Sequence, residues 1–464
     1  MTYKSRSDPR ALSRPLAVML LAALGTFVPG CGVVGLFSHS GYERVPDAPS
    51  GLSAIEAALW FLEHAQLADD IACLNSQDYA GDWPQYFGFH EEGPYIRESS
   101  PFAPAFIHHT LSLIDEGSYE QLGLSLSDVV RTRTMRQRAI AFMERFRAQE
   151  GMPDAGTYGF WPIDRYRWFP GDFVLERLIA AKWGGPMFRG YRTPLNVSFF
   201  PREYAIPADA DVTAVVYAAL LDHNQLDNGP TVDDRFAHFF ADWRDLGQIP
   251  QRNIKPWISS PTGAFLTWLD YGDPSDPSRP NDVDIVVNAN VLYVLGRYHR
   301  LEVPGVSESI ALINGAIAAR ADYLRSQDLS LYYPDNLVLH YFVARAYAEG
   351  GVAALRPAVD ALVDDLLASV QTDVRGYAYW DHGQPHLNTA LGALTLLLAD
   401  QAPDIAQSAI SYLMAEQRPS GGWAPDVFFL ARLDDGTRPV WLSQSFTTAM
   451  ALEAICRERL SGSR

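Results

Sequence analysis

Apolar residues recur along the chain at the spacing of an α-helix, and they do so in two different ways. Between about residues 51 and 460 apolar positions three and four apart dominate, whereas the alternation typical of strands is scarce. Some segments have one apolar and one charged face, as in residues 135–146 and 359–370. Others are apolar nearly all round: 212–221, 286–295, 387–398 and 446–455. A helix without a polar face must be enclosed on every side, so the two kinds predict two concentric layers.

The enclosed helices return at intervals that indicate a repeat. They begin near residues 211, 286, 336, 387 and 445, at spacings of about 50 to 75 residues, which is enough for a helix pair and a loop. Earlier pairs are expected to start near 52 and 104. We therefore predict an all-α fold, an α/α toroid of about six outer and inner helix pairs that occupies residues 51–464. An open helical solenoid is the alternative architecture.

The first 50 residues have a different composition, and they predict export. Residues 1–30 combine a basic start with an apolar stretch of about 13 residues, which is too short to span a bilayer and is typical of a signal peptide. Val28-Pro29-Gly30-Cys31 resembles the bacterial lipobox, whose cysteine becomes lipidated, although a proline is unusual there. We expect a lipoprotein anchored through Cys31 to a cell-envelope membrane on its periplasmic face, with 31–50 as a tether. An ordinary signal peptide and an uncleaved anchor are the alternatives.

Charge and cysteine content narrow the set of partners. The formal net charge of −18 repels nucleic acid, so we expect no DNA or RNA partner. Besides Cys31, only Cys73 and Cys456 are present. The first and last helices of a closed ring lie side by side, so these two cysteines either form a disulfide or remain two separate buried thiols. The sequence has no cysteine and histidine cluster at metal-ligand spacing, no phosphate loop and no dinucleotide motif, so neither a metal nor a cofactor is predicted. We expect a monomer.

A short motif near the end of the chain carries a resemblance to a known family. Residues 412–417, Tyr-Leu-Met-Ala-Glu-Gln, followed by Gly421-Gly422-Trp423, resemble the glutamine–tryptophan repeat of squalene-hopene cyclases. A weaker copy places Gln66 and Trp83 after Phe61-Leu62. In such a repeat the glutamine ties a helix end to the next turn, and the tryptophan ring stacks across the junction. The resemblance implies the toroid fold but no particular reaction.

A second motif resembles the proton-donating segment of class II terpene cyclases. Residues 207–216, Pro-Ala-Asp-Ala-Asp-Val-Thr-Ala-Val-Val, resemble the Asp-x-Asp-Asp-Thr-Ala segment of that family, whose middle aspartate protonates an alkene or an epoxide. The resemblance gives Asp211 the role of the acid and Asp209 the flanking role, with Val212 in place of the third aspartate. The residues alone leave another explanation open, because an aspartate at a helix start also caps backbone N–H groups.

Further polar and aromatic residues are candidates for the same cavity. Asp282 and Asp284 precede the next enclosed helix, so they are either further catalytic residues that face the first pair across the ring or a repeated cap. Asn288 is polar in that apolar helix, and because buried amides need partners we place it on the cavity wall. Aromatic rings stabilise cations or stack on sugars, although isolated rings often serve packing alone. The candidates for substrate binding are Trp161, Trp268, Tyr333, Trp380 and Trp423.

Three functions are compatible with these features. The principal hypothesis is a terpene or squalene cyclase-like isomerase in which Asp211 protonates an isoprenoid substrate. The second is a periplasmic glycan-active enzyme, a glycosidase or a lyase, or a glycan binder that uses paired carboxylates. The third is a toroid scaffold without catalysis, which the missing third aspartate would fit. The predicted ligand is therefore a hydrophobic small molecule or a glycan.

Overall fold

The helices that the sequence predicts are present, in order, in the computed structural model. It describes residues 43–73, 76–88, 95–148, 155–160, 208–227, 236–247, 261–269, 281–321, 329–333, 337–383, 385–430 and 439–462. Ser53 and Glu56 form a reciprocal capping box at the start of the first helix, and Ser443 caps the last one. The helices of these residues are α1 (Ala54–Ala65), α2 (Phe102–Ser112), α3 (Leu126–Met143), α4 (Ala210–Asp227), α5 (Phe236–Asp242), α6 (Ile285–Arg297), α7 (Val306–Ala318), α8 (Val338–Ala348), α9 (Arg356–Ser369), α10 (Pro385–Ala399), α11 (Pro403–Glu416) and α12 (Gln444–Ser461).

Six of these helices form a closed inner ring. α2 packs on α4, α4 on α6, α6 on α8, α8 on α10 and α10 on α12, and α12 returns to α2. The helix α6 is buried continuously from Ile285 to Gly296, and α4 from Ala210 to Leu220. A closed ring provides the enclosure that helices without a polar face require. The predicted toroid is thereby confirmed, and the open solenoid is wrong.

The amphipathic helices cover this ring from outside. α3 contacts α2 and α4, α7 contacts α6, α9 contacts α8 and α10, and α11 contacts α10 and α12. The short helix α5 lies beside α4, where Phe236 stacks on Tyr217. In α9 the apolar face, including Leu362 and Leu366, is buried, whereas Asp364 is exposed. The two predicted layers therefore correspond to the two kinds of helix in the sequence.

Buried tryptophans repeat the same contact in two places. Trp423 Nε1 donates a hydrogen bond to the carbonyl oxygen of Leu413 at 2.8 Å. Trp83 Nε1 donates in the same way to Leu62 at 2.7 Å. In both cases the acceptor lies in the last turn of an outer helix, α11 or α1. The strong motif and its weaker copy therefore share one geometry.

The glutamines of these motifs link each outer helix to the next by side-chain hydrogen bonds. Gln417 Nε2 donates to the carbonyl oxygens of Ala54 and Gly421, at 2.9 Å and 2.8 Å. Gln66 Nε2 donates to the carbonyl oxygen of Met135 at 2.9 Å. The first glutamine therefore joins α11 to α1, and the second joins α1 to α3. The contact between α11 and α1 closes the outer layer across the two ends of the chain.

A small sheet is the element that the helical pattern does not predict. The strands are β1 (Ile71–Cys73), β2 (Ser76–Asp78), β3 (Gln85–Gly88), β4 (Tyr95–Glu98), β5 (Gln371–Thr372), β6 (Ala378–Tyr379), β7 (Asp426–Leu430) and β8 (Val440–Ser443). Four of them form an antiparallel sheet in the order β4-β3-β8-β7, and the others form two short hairpins. Because β8 leads directly into α12, this sheet lies at the end of the ring where the inner helices begin.

Buried ion pairs join the inner helices at their C-terminal ends, at the side of the ring away from the four-stranded sheet. His109 of α2 lies 2.9 Å from Asp222 of α4, which also pairs with Arg297 of α6 at 2.6 Å. Glu349, just after α8, pairs with Arg457 of α12 at 2.6 Å. Burial alone would lower the pKa of His109, but the charge of Glu349 and the hydrogen bond to Asp222 raise it to about 9. The imidazole is therefore positively charged at neutral pH, as this acidic surrounding requires.

Predictions about the chain ends have different outcomes. The predicted signal peptide, Cys31 and the first part of the tether lie outside the described residues. Cys456 is a free, buried thiol, so the disulfide with Cys73 is not formed and the separate-thiol alternative holds for it. Among the described helices, none combines the length and the apolar character needed to cross a membrane.

Close packing between α6 and the turn after α8 gives a first prediction. A Cβ atom on Gly296 would clash with the backbone carbonyl group of Gly350, whereas one on Gly315 in α7 meets no atom within 4 Å. We expect Gly296→Ala to lower the free energy of unfolding by about 2 kcal/mol or more, because backbone must move. The control Gly315→Ala should be neutral or stabilising by up to about 1 kcal/mol. Chemical denaturation measures both, and equal effects would contradict this packing.

Candidate active site

An aromatic cavity opens at the end of the ring where the inner helices begin. About 630 Å³ of space lies between its walls, and part of this space is open to solvent. Its described walls come from the starts of α2, α4 and α6, from the segment before α8, and from β7 and β8. No lysine or arginine is among the described lining residues, and most of these carry an aromatic ring, including Trp268, Tyr332, Tyr333, Phe428, Phe429 and Trp441. The polar groups that reach the cavity are Asp209, Asp211 and Thr267.

Asp209 caps the inner helix α4. Its Oδ1 accepts a hydrogen bond from the backbone N–H of Val212 at 2.6 Å, and its backbone pairs with that of Trp268. Burial, followed by the negative charge of Asp211, raises the pKa of Asp209 well above its usual value. The capping explanation therefore applies to this member of the pair, whose surroundings favour the protonated form.

Asp211 has a different set of partners, because side chains from two other parts of the ring hold its carboxyl group. Its Oδ1 accepts a hydrogen bond from Asn290 Nδ2, and its Oδ2 accepts one from the Tyr333 hydroxyl, both at 2.6 Å. Burial raises the pKa of Asp211, while the hydrogen bonds from Tyr333 and Asn290 and the charge of Arg345 act in the opposite direction. The carboxyl group is thus protonated more easily than usual, yet its anion has partners ready.

A buried arginine supports this arrangement from inside the ring. Arg345 of α8 donates from Nη2 to Asn290 Oδ1 at 2.7 Å, so the same amide connects the guanidinium group to Asp211. The guanidinium carbon lies 4.1 Å from the ring centre of Tyr293 and 4.5 Å from that of Phe106. These aromatic faces stabilise a cation that is removed from water. One side-chain amide, that of Asn290, therefore connects the positively charged group to the Asp211 carboxyl group by hydrogen bonds.

Asp284 has a structural role, which corrects its assignment as a catalytic candidate. It caps α6, where its Oδ1 accepts hydrogen bonds from the N–H groups of Val286 and Val287 at 2.8 Å and 3.3 Å. Its Oδ2 accepts hydrogen bonds from the N–H of Leu331 at 2.9 Å and from the Ser330 hydroxyl at 3.0 Å. Burial and the charge of Asp282 raise the pKa of Asp284 to about 7. With its oxygens committed to these donors, Asp284 does not line the cavity.

Asp282 holds two rings of the cavity wall and does not itself line the cavity, so its assignment also changes. Its Oδ2 accepts hydrogen bonds from Trp268 Nε1 at 3.2 Å and from the Tyr332 hydroxyl at 3.1 Å. The residue has no exposed surface. The second acidic pair therefore positions the cavity wall and the start of α6, and the two pairs do not act as opposed carboxylates across the ring.

Three predicted binding residues lie elsewhere in the fold. Asn288 is buried and bonds both backbone groups of Phe265, at 3.1 Å and 3.0 Å, so its amide anchors a loop. Trp380 is buried with Nε1 donating to Leu366 at 3.0 Å, which is the same contact to an outer-helix end that Trp423 makes. None of these side chains lines the cavity. They were assigned to the cavity as a buried amide and two aromatic rings, and the structure shows that these groups serve packing and anchoring instead.

Of the remaining predicted binding residues, Trp268 and Tyr333 lie on the cavity wall, whereas Trp161 lies outside the described residues.

Arg345 is a functional residue that the sequence could have indicated. It is the single charged residue of an apolar helix, Val338–Ala348, which marks a buried functional group. The aromatic residues of β7 and β8 lie in a sheet whose central strands, β3 and β8, come from distant parts of the chain, and a local pattern does not reveal that pairing.

Comparison with known proteins supports the architecture. No protein-family model matches the sequence, and no curated protein is significantly similar to it. A variant of the type II terpene cyclase MstE from Scytonema, in complex with its substrate geranylgeranyl dihydroxybenzoate, aligns over 88% of this chain and 97% of its own, at 15% identity and a TM-score of 0.50. The chain has a type II terpene cyclase-like fold.

Two further solved structures are similar at lower TM-scores. The apo form of MstE from Scytonema has a TM-score of 0.47 at 14% identity, covering 87% of this chain and 96% of its own. An unsaturated glucuronyl hydrolase specific for heparin has a TM-score of 0.41 at 10% identity, covering 89% and 97%.

The two acidic pairs differ in role, which leads to a stability prediction. Asp284→Ala removes a helix cap and leaves several buried donors without a partner, so we expect a loss of about 2 to 4 kcal/mol in the free energy of unfolding. Asp211→Asn keeps the shape of the side chain, still accepts from Asn290 and can donate to the Tyr333 oxygen. Its loss should stay below about 1 kcal/mol. If denaturation showed Asp211→Asn to be the more damaging change, these role assignments would be reversed.

Proposed function

We propose that the protein catalyses the proton-initiated cyclisation of an isoprenoid, with Asp211 as the acid. The observation that carries this proposal is a buried carboxyl group in an aromatic cavity, held on both oxygens by hydrogen-bond donors. A carboxylic acid is a poor proton donor to an alkene unless its anion is stabilised in the transition state. Asn290 and Tyr333 are placed to do this as the charge on Asp211 develops.

The reaction begins when the Asp211 O–H bond breaks and its proton forms a new C–H bond with a terminal alkene carbon. The adjacent carbon becomes a cation, which neighbouring alkenes of the same chain attack to close rings. The last cation gives up a proton to solvent at the cavity mouth, which yields a neutral product, and the Asp211 carboxylate takes a proton back from solvent. One proton is consumed and one is released, so the overall change is an isomerisation.

The cavity wall suits a cationic intermediate better than a sugar. The faces of Trp268, Tyr332 and Phe429 carry negative π-electron density that attracts a positive charge without offering a nucleophile. An apolar wall also excludes water, which would otherwise trap the cation as an alcohol. The glycan-active alternative requires two carboxylates across the cavity, but Asp284 is committed to a helix cap and Asp282 to two aromatic side chains.

The replacement of the third motif aspartate by Val212 does not remove support for the acid. In this chain the hydrogen bonds to Asp211 come from α6 and from the segment before α8, and Arg345 adds a positive charge through Asn290. A third carboxylate, at position 212, would raise the pKa of Asp211 further and weaken it as an acid. The altered motif therefore fits an acid whose support comes from other parts of the ring.

Asp211→Asn should abolish cyclisation while the protein remains folded, because the amide has no acidic proton to give. The assay offers linear isoprenoids of increasing length, with and without a terminal epoxide, and analyses products by gas chromatography and mass spectrometry. Asp404→Asn, the same change on the exposed side of α11, is the matched control and should keep full activity. Turnover by Asp211→Asn equal to the control would remove this residue as the acid.

The pH profile of the same reaction tests the hydrogen bond from Tyr333. The acid must be protonated to react, so the rate should fall as pH rises through the elevated pKa of Asp211. That hydrogen bond lowers the pKa, so Tyr333→Phe should move the falling limb to higher pH and reduce the maximal rate. A purely structural role would reduce the rate without moving the limb.

We propose that the chain is exported and anchored through a lipidated Cys31, which would place the cavity near a source of hydrophobic substrates. The support is the short apolar segment in 1–30 and the lipobox-like sequence that ends at Cys31. Cys31→Ser should move the protein from the membrane fraction to the soluble fraction and abolish labelling with a fatty-acid analogue. Unchanged labelling would contradict the lipid anchor.

A further inference from the structure

Three potential metal ligands converge toward the far ends of α2 and α4. They are His108 of α2 and His223 and Asp227 of α4, and one donor atom from each lies within 4.8 Å of the others. His223 follows Asp211 by twelve positions in the same helix, which corresponds to a distance of about 18 Å along its axis. The cluster is therefore separate from the aromatic cavity.

His108 is the residue that indicates a ligand. Its side chain has no exposed surface, and among the described residues neither ring nitrogen has a hydrogen-bond partner. Burial lowers the pKa of His108 to about 3, so the imidazole is neutral and each nitrogen is either an unpaired donor or an unpaired acceptor. Leaving such a group unpaired in the interior costs about 1 to 3 kcal/mol. A bound ion would make use of one nitrogen and offset part of that cost.

The other two ligands are already paired in a way that suits metal binding. His223 and Asp227 are one helical turn apart, and His223 Nδ1 lies 3.2 Å from Asp227 Oδ2. Ligand atoms around a tetrahedral zinc ion are about 3.4 Å apart, since the bonds are about 2.1 Å long. This pair is therefore near the required spacing, and His108 has to move by up to about 1.4 Å to complete it.

Arg133 and Arg136 both oppose a cation at this position. Arg133 Nε lies 3.4 Å from Asp227 Oδ1, and Arg136 is closer. It donates from Nη2 to Asp227 Oδ1 at 2.7 Å and from Nε to Oδ2 at 3.0 Å. It also donates from Nη1 to the carbonyl oxygen of Leu111 at 2.9 Å, which fixes it in this orientation. Ligating carboxylates are commonly held by such outer hydrogen bonds.

We propose that His108, His223 and Asp227 bind one divalent transition-metal ion of the zinc type. The set of two imidazoles and one carboxylate favours zinc over magnesium or calcium, which prefer oxygen ligands alone. Three protein ligands leave a fourth tetrahedral position for water. The ion would link α2 to α4, two neighbours in the inner ring, and would stabilise the toroid without taking part in the cavity chemistry.

The first experiment uses the full-length chain, stripped of metal with a chelator and then dialysed against zinc. We expect about one equivalent of zinc per chain by elemental analysis and a rise in melting temperature, because a ligand that binds only the native state stabilises it. Cobalt, used as a spectroscopic substitute, should give the visible absorption of tetrahedral coordination. Failure of the stripped wild-type protein to take up either ion would overturn the proposal without recourse to any variant.

The second experiment assigns the ion to these residues. His108→Leu and His223→Leu should each abolish stoichiometric zinc uptake and the rise in melting temperature. His108→Leu should also be at least as stable as the metal-free wild type, because it removes an unpaired buried group. His340→Leu is the matched control, since His340 also has an unpartnered ring nitrogen and a pKa lowered to about 3, but belongs to no such group among the described residues.

The control should retain full zinc uptake. If His108→Leu binds zinc as the wild type does, or if the His340→Leu control loses zinc equally, the proposed site is wrong.

Discussion

The closure of six inner helices into a ring is the constraint on which the rest of this structure depends. Helices that are apolar nearly all round are stable only when every side is covered, and a closed ring covers them. The same closure puts their few polar side chains into an interior where a lone charge is costly. Those side chains therefore bond across helices, as Asp211 does with Asn290 and as His109 does with Asp222. The chemistry of the cavity and the integrity of the ring have this common cause.

The polar residues at the cavity end meet two requirements of a buried acid: it must hold its proton, and its anion must be stabilised when the proton leaves. Burial makes ionisation of Asp211 unfavourable and so keeps a proton on it, whereas Tyr333, Asn290 and Arg345 lower the free energy of the anion once the proton leaves. Because these groups come from different helices, their alignment depends on the ring being closed. In the proposed reaction the aromatic wall would stabilise the positive charge, so the two charges created by proton transfer would be stabilised in neighbouring regions of one cavity.

The sequence was sufficient for the architecture but not for the cross-ring contacts. The starts of the inner helices followed from apolar periodicity, because a helix enclosed on all sides has few polar residues to obscure the pattern. Trp380 and Trp423 were assigned to the cavity, yet they are packing residues, since position in a repeat does not say which face of a helix a ring covers. Arg345 was not assigned a role, because its contact with Asn290 joins residues 55 positions apart that meet only through folding. The sheet that carries Trp441 was missed for the same reason, as its central strands come from opposite ends of the chain.

The contact between the first and the last outer helices has a consequence for the order of folding. Gln417 bonds to Ala54, and α12 packs against both α1 and α2, so the N-terminal helices acquire their final neighbours only from the C-terminal part of the chain. Contacts so distant in sequence slow folding, because a long loop must be closed before they contribute. An emerging chain cannot complete its core until almost every residue has been synthesised. Until then apolar sides of the N-terminal helices lack the partners that cover them in the closed ring.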